Sequence, residues 1–403
     1  MLALVGVAGC VDSRNDLPVA EVSDSAGLRL ISYELSGIDV TPYRGLADYD
    51  MQVGAVDGDP EYAFSQITDL ALTADGSLVV SDAAGQELRV FDPEGNFIRT
   101  IGGPGGGPGE FSTAPTIAGV SGDTVVTFDR RASRVTLFET NGELVETVDL
   151  SAVGAADAVI RMADGTYLAQ SRWIDPNARI SFHEMRLELD SAVVTRLGSD
   201  GDVLDTVQVI PDRTRARIVQ DAGGGEVRTI QANSPYSVRA VVRSTGMGLI
   251  VGHSGIFELK IFGADPSHHA VLRVLGVDHP ATAREIRAHQ EAAIREEIGD
   301  RELEPNLRRL NLDFLPARLP SFTDVVLSDD GDLWVGLTEY DLSSGMDWLV
   351  FDGDGALLGS VHTPPELRLR AIRADYVVGF VLDDFDVPFV RRYPLLVENA
   401  DPD

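Results

Sequence analysis

Short apolar runs separated by turn residues dominate the first part of the chain. Residues 67–82 and 87–101 contain three or four such runs, joined by Asp-Gly and Pro-Glu-Gly turns. Runs of this length with glycine in the connecting turn are typical of antiparallel strands that pair with their neighbours in sequence. The pattern therefore predicts one antiparallel meander over residues 67–101.

The same unit recurs along the chain. A second copy covers 116–148, and Phe91 and Phe138 lie about 47 residues apart, which is a repeat length of propeller blades. Less regular copies follow it and bring the total to about six, at residues 158–210, 237–275, 322–361 and 367–395. The repeats predict an all-β protein with the fold of a six-bladed β-propeller.

The two ends of the chain complement each other in this pattern. The last unit lacks its outer strand, whereas residues 27–34 form a strand-like run that belongs to no unit. Pairing of the two would close the ring and remove an exposed sheet edge. We therefore expect closure by an N-terminal strand, with residues 29–34 pairing with 389–393.

Two segments do not fit the blade pattern. Residues 282–304 have near-helical spacing of apolar positions, which predicts a short helical insertion between blades four and five. Its apolar stripe is narrow, so we favour a helix that covers a blade surface over one that docks a partner. Residues 212–233 are polar and glycine-rich and predict a mobile loop.

Two motifs carry a family resemblance. The segment 75–102 resembles an NHL-type propeller repeat, and Gly107-Pro108-Gly109-Glu110-Phe111 is similar to the linker between NHL blades. The whole chain, including 384–393, resembles bacterial lipoproteins described as six-bladed β-propellers. The resemblance implies a fold and no particular activity, because related propellers include binding scaffolds, lactonases and lyases.

The single cysteine lies near the amino terminus. Cys10 follows Val7-Ala8-Gly9, and these four residues resemble the lipobox of bacterial lipoproteins. The resemblance implies cleavage before Cys10, lipidation of its thiol, and a lipid-anchored protein of the bacterial envelope that faces the periplasm or the exterior. The basic region of a signal peptide is missing and the apolar run is short, so a free terminal cysteine is the alternative. The expected segments are a signal remnant (1–9), a tether linker (10–26), the propeller (27–397) and a tail (398–403).

The net charge of the chain limits the classes of partner that it can bind. There are 64 Asp and Glu against 33 Lys and Arg, which gives a formal net charge of -31. Such a surface repels phosphate backbones and anionic lipid headgroups. We therefore expect no nucleic-acid partner, and membrane contact only through the lipid anchor.

Motifs of catalysis and metal binding are missing from the sequence. The glycine-rich run 102–110 fits neither nucleotide-binding fingerprint, and its prolines remove backbone donors, so we interpret it as an interblade linker. The seven histidines show no His-Glu-x-x-His pattern. No metal site is therefore assigned from motifs.

Polar residues near the start of the innermost strands give a different candidate site. Acids from well-separated blades can converge only near the channel axis, where a polar ligand or a calcium ion would relieve their repulsion and an arginine would balance the charge. The alternative is that these groups bond to one another and to water. The candidates are Asp69, Thr116, Asp157, Arg239, Asp324 and Arg370.

Two functions remain open at this point. The first is an envelope-tethered propeller that binds or scaffolds a protein, peptide or glycan. The second is an envelope hydrolase or lyase with an acid cluster at the channel mouth, assisted by calcium. We favour the first, because a propeller fold alone does not indicate catalysis and no catalytic motif accompanies it.

Overall fold

The structure is a computed structural model, and it describes most of the chain between residues 17 and 396. Cys10 and the predicted signal remnant and tail lie outside the described residues. The described ranges are 17–25, 27–173, 185–223, 226–233, 237–244, 248–263, 269–277, 284–288, 291, 319–338, 345–365, 367–383 and 385–396.

The strands form six sheets. Four strands precede the first blade: β1 (Glu21–Ser25), β2 (Leu28–Glu34), β3 (Gly45–Leu46) and β4 (Met51–Val53). Blade 1 contains β5 (Ile67–Leu72), β6 (Leu78–Asp82), β7 (Glu87–Phe91) and β8 (Phe97–Gly102). Blade 2 contains β9 (Thr116–Ser121), β10 (Thr124–Asp129), β11 (Arg134–Glu139) and β12 (Leu144–Asp149). Blade 3 contains β13 (Ala156–Arg161), β14 (Tyr167–Trp173), β15 (Met185–Leu197), β16 (Val203–Gly223) and β17 (Glu226–Asn233).

The second half of the chain completes the set. Blade 4 contains β18 (Ala240–Ser244), β19 (Leu249–His253), β20 (Glu258–Phe262) and β21 (His269–Leu275). Blade 5 contains β22 (Phe322–Leu327), β23 (Leu333–Leu337), β24 (Met346–Phe351) and β25 (Leu357–Thr363). Blade 6 contains β26 (Arg368–Ile372), β27 (Tyr376–Leu382) and β28 (Pro388–Leu396).

The blades are arranged in a ring around a central channel. The innermost strands contact one another in the order β5, β9, β13, β18, β22, β26, and β26 contacts β5. The predicted six-bladed β-propeller is confirmed.

Burial on both faces explains the continuous apolar runs of the inner strands. In β6, Val80 packs against Val378 and Phe380 of blade 6, whereas Val79 packs against Val125 and Phe138 of blade 2. Successive side chains of a strand point to opposite faces of its sheet, so each face of the blade is covered by a different neighbour. The core is therefore a set of layers between adjacent blades.

An N-terminal strand closes the ring, but it is not the strand that the sequence indicated. β4 pairs antiparallel with β28, with Val53 opposite Val390, and β3 pairs with the end of β28. The prediction that 29–34 would pair with 389–393 is wrong. The closing strand β4 has only three residues, too few for an apolar pattern to show in the sequence.

The run 28–34 instead forms β2 and extends blade 4. It pairs in parallel with β21, and β1 adds a further antiparallel strand outside it. The Tyr33 hydroxyl donates to the carbonyl of Gly355 (3.1 Å) and accepts from the amide of Leu357 (2.8 Å), which ties blade 4 to blade 5. The chain then passes blade 5, where Tyr43 and Ser360 bond, before it reaches blade 6. Residues 28–53 thus form a belt along three blades.

The innermost strands all begin at one end of the channel, which we call the top face. Because neighbouring strands in a blade alternate in direction, β16 and β21 end at this face and the β27–β28 hairpin turns there. The helical insertion follows β21 and therefore starts from the top face. Residues 284–288 and 291 are helical, with Ile286 buried; the rest of 282–304 lies outside the described part of the chain.

The predicted mobile loop at 212–233 is wrong. Most of it belongs to β16 and β17, which pair from Arg215–Asn233 to Gly223–Glu226, so the described part of this segment is a two-stranded ribbon. Backbone pairing needs no apolar side chains, which explains how a polar sequence forms this ribbon. At about 3.3 Å per residue, β16 extends on the order of 30 Å beyond its blade at the top face.

Buried aspartates hold the linkers between blades. Asp129 ends β10 and accepts hydrogen bonds from the amide of Ser112 (2.6 Å), the hydroxyl of Thr113 (3.0 Å) and the amides of Arg131 (3.1 Å) and Ala132 (3.2 Å). Burial opposes the ionisation of Asp129, but these donors outweigh it and hold its pKa below the usual value. Asp82 binds the preceding linker in the same way, through Ser65 and Gln66.

The closure predicts unequal effects of two matched substitutions. Val53 is fully buried on β4, whereas Val22 on the outer strand β1 is 49% exposed. We expect Val53→Ala to lower the free energy of unfolding by about 2 kcal/mol and Val22→Ala to change it by less than about 0.5 kcal/mol. Urea denaturation of both variants measures this. Equal effects would show that β4 does not carry the closure.

The linker aspartate predicts a pH-dependent loss of stability. Asp129→Asn leaves backbone donors without an anionic acceptor, and we expect a cost of about 2 kcal/mol at neutral pH. Because the native pKa of Asp129 is lowered, its contribution is complete above the unfolded pKa near 4 and is lost as the pH falls through the native pKa. Urea denaturation at several pH values should therefore show the difference from wild type shrinking below about pH 4. Asp123→Asn, in an exposed turn, is the control, and a difference that stays constant with pH would contradict the assignment.

Candidate functional site at the channel mouth

Irregular pairing at the start of the innermost strands positions the candidate acids. The register of β5 against β6 shifts at Thr68, and that of β22 against β23 shifts at Thr323. The extra residue of such a bulge turns the following side chain. In both strands the next residue is an aspartate whose carboxylate accepts the following amide, at 3.0 Å for Asp69 and 2.8 Å for Asp324.

Asp69 links blade 1 to blade 2. Its second carboxylate oxygen accepts the amide of Ile117 in β9 at 2.9 Å. Burial raises the pKa of Asp69, and the Ile117 amide and the charges of Arg370 and Arg243 oppose this rise. The carboxylate of Asp69 thus joins two inner strands although burial opposes its ionisation.

Asp324 lies between arginines of two neighbouring blades. Arg243 of β18 donates to its carboxylate at 2.8 Å, and Arg370 of β26 lies 3.6 Å from its other oxygen. The Arg243 guanidinium also donates to the carbonyl of Val325 at 2.7 Å. Arg243, Asp324 and Arg370 therefore form one ion-pair network across blades 4, 5 and 6, and the charges of both arginines also reach Asp69 of blade 1. We call these four residues the mouth network.

The other predicted residues occupy separate places. Asp157 of β13 is paired with Arg172 (3.1 Å) and Arg130, outside the mouth network. Thr116 is exposed at the first position of β9 and donates to the carbonyl of Phe128 at 3.5 Å. The sequence grouped all these residues at one channel mouth, whereas the structure places Asp69, Asp324 and Arg370 near one another and Asp157 and Thr116 apart from them.

Arg239 lies just before β18 at the top face. Its backbone is fixed by Ser254, whose hydroxyl accepts the Arg239 amide (2.8 Å) and whose amide donates to the Arg239 carbonyl (2.9 Å). Burial lowers the pKa of the Arg239 guanidinium, and the charge of Arg213 lowers it further, whereas Asp324 and Asp212 oppose this. Arg239 is thus near the mouth network without forming an ion pair in it.

The charges at the mouth bear on the calcium hypothesis. Asp324 is already neutralised by two arginines, and Asp69 accepts two amides. Among the residues that the structure describes, no group of three or more His, Cys, Asp or Glu side chains could hold a metal ion. The mixed charges therefore suit a polar organic ligand better than a bare cation.

Exposed apolar side chains surround the top face. Phe385 is 84% exposed at the tip of the β27–β28 hairpin, and Ile256 follows β19 at the same face. Val56, in the segment between β4 and β5, is also exposed there. Exposed apolar groups beside a polar mouth are typical of binding surfaces.

Sequence reasoning missed several residues of this site. Arg243 was not selected, although it lies four positions after Arg239 in the same apolar strand. Asp212 and Arg213 were missed because they lie in the middle of the long β16, and His253 because it ends β19, whereas the candidates were sought at the start of inner strands. The sequence signal that could have found these residues is a charged side chain that directly follows an apolar run ending at the top face.

Comparisons with known proteins agree with the fold. A family model described as a 6-bladed beta-propeller, DUF5128, matches residues 58–179, less than a third of the chain. A Bacteroides fragilis protein provisionally described as exported is similar over 92% of this chain and 100% of its own, with a TM-score of 0.52 and 13% identity. No curated protein sequence matches the chain.

More distant structures add no functional argument. Virginiamycin B lyase from Staphylococcus aureus covers 86% of this chain and 99% of its own at 8% identity, with a TM-score of 0.41. A DUF4221 protein from Bacteroides vulgatus covers 90% of this chain and 99% of its own at 11% identity, with a TM-score of 0.42. At these values neither structure carries an argument about this chain.

Proposed function

We propose that the protein is an envelope-tethered binding propeller whose top face takes a protein, peptide or glycan ligand. The observation that supports this most directly is the position of Arg239, an exposed arginine at the channel mouth with no ion pair to any residue that the structure describes. Because no described carboxylate neutralises its guanidinium, Arg239 can bind an anionic or polar group of a ligand that reaches the mouth.

The surroundings of the mouth support binding. The mouth network is rigid, because its acids accept backbone amides and span four blades. The apolar tips at Phe385, Ile256 and Val56 offer contact area around it. The long β16–β17 ribbon also leaves the blade at this face. A rigid polar centre with an apolar rim is suited to hold a ligand without transforming it.

Tethering is proposed from the Cys10 motif. None of the helices that the structure describes is long and apolar enough to cross a membrane. A lipid on Cys10, followed by the polar segment before β1, would hold the propeller near the membrane by the rim of blade 4.

Lipidation is tested by fractionation. Cys10→Ser, expressed with a complete upstream signal, should leave the membrane fraction and become soluble or remain uncleaved, because no thiol is available for the lipid. Metabolic labelling with a palmitate analogue should mark the wild type only. Equal membrane retention and equal labelling of both forms would contradict the anchor.

Ligand binding is tested with the purified domain, residues 17–403, on arrays of glycans and peptides, with and without calcium chloride. We expect ligands that are retained by wild type and lost, by at least tenfold in affinity, in Phe385→Ser and Arg239→Met. Leu144→Ser, on the outer strand of blade 2 at the opposite face, is the matched control. Binding that all variants keep, or no binding at all, would contradict the proposal.

The alternative function, a hydrolase or lyase, is tested by mass spectrometry of the retained ligands. Cleavage by wild type that Asp69→Asn/Asp324→Asn abolishes would identify such an enzyme.

A further inference from the structure

Several arginines at the top face form no ion pair with a described residue, and two of them, Arg213 and Arg239, come from neighbouring blades. In the part of the chain that the structure describes, the guanidinium groups of Arg213 and Arg239 make no hydrogen bond and no ion pair, and the Nε atom of Arg213 is buried from solvent. Arg243, Arg370 and Arg172 nearby are all paired with aspartates. A buried guanidinium N–H without an acceptor is costly, so its retention calls for an explanation.

The backbone brings Arg213 and Arg239 near each other, because the residue before Arg213 and the residue after Arg239 are joined by a hydrogen bond. The charge of Arg213 is near enough to lower the pKa of Arg239, and burial adds to this effect. Asp212 and Asp324 attract Arg239 from a distance, but the carboxylate of Asp212 accepts the amide of Ala240 (3.0 Å) and Asp324 is held by Arg243. Two neighbouring cations are therefore left without an anion in contact, in a protein whose net charge is -31.

The backbone around the pair is firmly built. Arg213 follows the buried Asp212 on β16 of blade 3, and the Asp212–Ala240 bond joins this strand to the start of β18. Arg239 is fixed by its two bonds to Ser254. The two arginines therefore converge from blades 3 and 4 on supports that do not depend on the guanidinium groups.

A third unsatisfied group lies in the same neighbourhood. The Nε2 atom of His253, opposite Ala240 in the β18–β19 ladder, is buried and has no hydrogen-bond partner. Burial lowers the pKa of His253, opposed by Asp212, so the ring is neutral at neutral pH and its Nε2 can carry a donor N–H. Gly255 leaves room for this ring, because a Cβ there would come within 2.6 Å of it.

We propose that Arg213 and Arg239 form an oxyanion subsite at the channel mouth, which takes a carboxylate, phosphate or sulfate group of the bound ligand. Guanidinium groups suit this role because their planar N–H forks bind such groups in a bidentate manner. The inference rests on the proposed function and specifies its ligand as one that carries an anionic group. The net charge of -31 makes the subsite selective, because it disfavours extended polyanions more than ligands with a single anionic group.

The subsite differs from a structural arginine pair in one measurable way. Without a ligand, removal of either charge relieves repulsion and a desolvation cost, so Arg213→Met and Arg239→Met should leave the melting temperature Tm unchanged or raise it. A pair that holds the fold together would instead lower Tm when truncated.

The test uses thermal denaturation and calorimetry of the domain with sodium phosphate, sulfate or acetate, each against sodium chloride at constant ionic strength. We expect at least one oxyanion to raise Tm of the wild type in a saturable manner and to bind Arg213→Met/Arg239→Met at least tenfold more weakly. The ranking of the three anions distinguishes a phosphate, sulfate or carboxylate group. Arg131→Met, an exposed arginine of blade 2, is the control and should bind like wild type.

Three results would overturn the subsite. They are no oxyanion-dependent shift in wild type, a shift that persists undiminished in the double variant, and a loss of Tm in both single variants without anion. Failure here is distinguishable from failure of the proposed function. If wild type retains array ligands but shows no anion effect, the binding face is supported and the subsite is contradicted. If anions bind but no array ligand is retained, the subsite is supported and the proposed function is contradicted.

Discussion

The fold depends on one pairing between the two ends of the chain, that of β4 with β28. Apart from the addition of β2 to β21 and of β3 to β28, the blades are otherwise built from hairpins between neighbours in sequence, which can form locally. Only β4 brings residue 53 against residue 390, and its buried valine fills the layer under the Gly95 turn, where a Cβ would come within 2.9 Å of Val53. A propeller left open would expose the edge of β28 and the apolar layer between blades 6 and 1.

The belt from 28 to 53 explains how so short a strand suffices. β2 is bound to blade 4 over seven residue pairs, and Tyr33 anchors it to blade 5. Thr41 and Tyr43 bond on either side of Ser360 in β25. The chain therefore arrives at blade 6 already held in place, so most of the entropy of closing the ring is lost before β4 pairs. The segment 28–53 therefore both binds three blades and closes the ring.

The strands and site residues that belong to the repeat could be predicted from the sequence, whereas those outside the repeat could not. Blades 1 and 2 were found because both faces of their inner strands are buried, which leaves continuous apolar runs between glycine turns. The partner of β28 was assigned wrongly because β2 has the stronger apolar pattern, while β4 is recognisable only once the belt has placed it. At the mouth, Asp69 and Asp324 were found through the repeated Thr-Asp pair, since the same bulge recurs in blades 1 and 5. Arg213 and His253 lie on strands that no repeat relates to one another, so only the folded chain brings them together.

The charged residues of the channel mouth fall into two groups: those that hold the blades together, and those that are free to bind a ligand. Asp324 pairs with Arg243 and Arg370 and so joins blades 4, 5 and 6, while Asp69 joins blade 1 to blade 2, so a ligand that displaced any of these four residues would weaken the ring. Arg213 and Arg239 are held by bonds of their backbone and their neighbours alone, and contact with an anion would break nothing that the blades need. Binding energy at this position can therefore go to the ligand and need not be spent on rearranging the fold. That separation allows a propeller without a catalytic motif to carry a rigid, charged recognition site at its channel mouth.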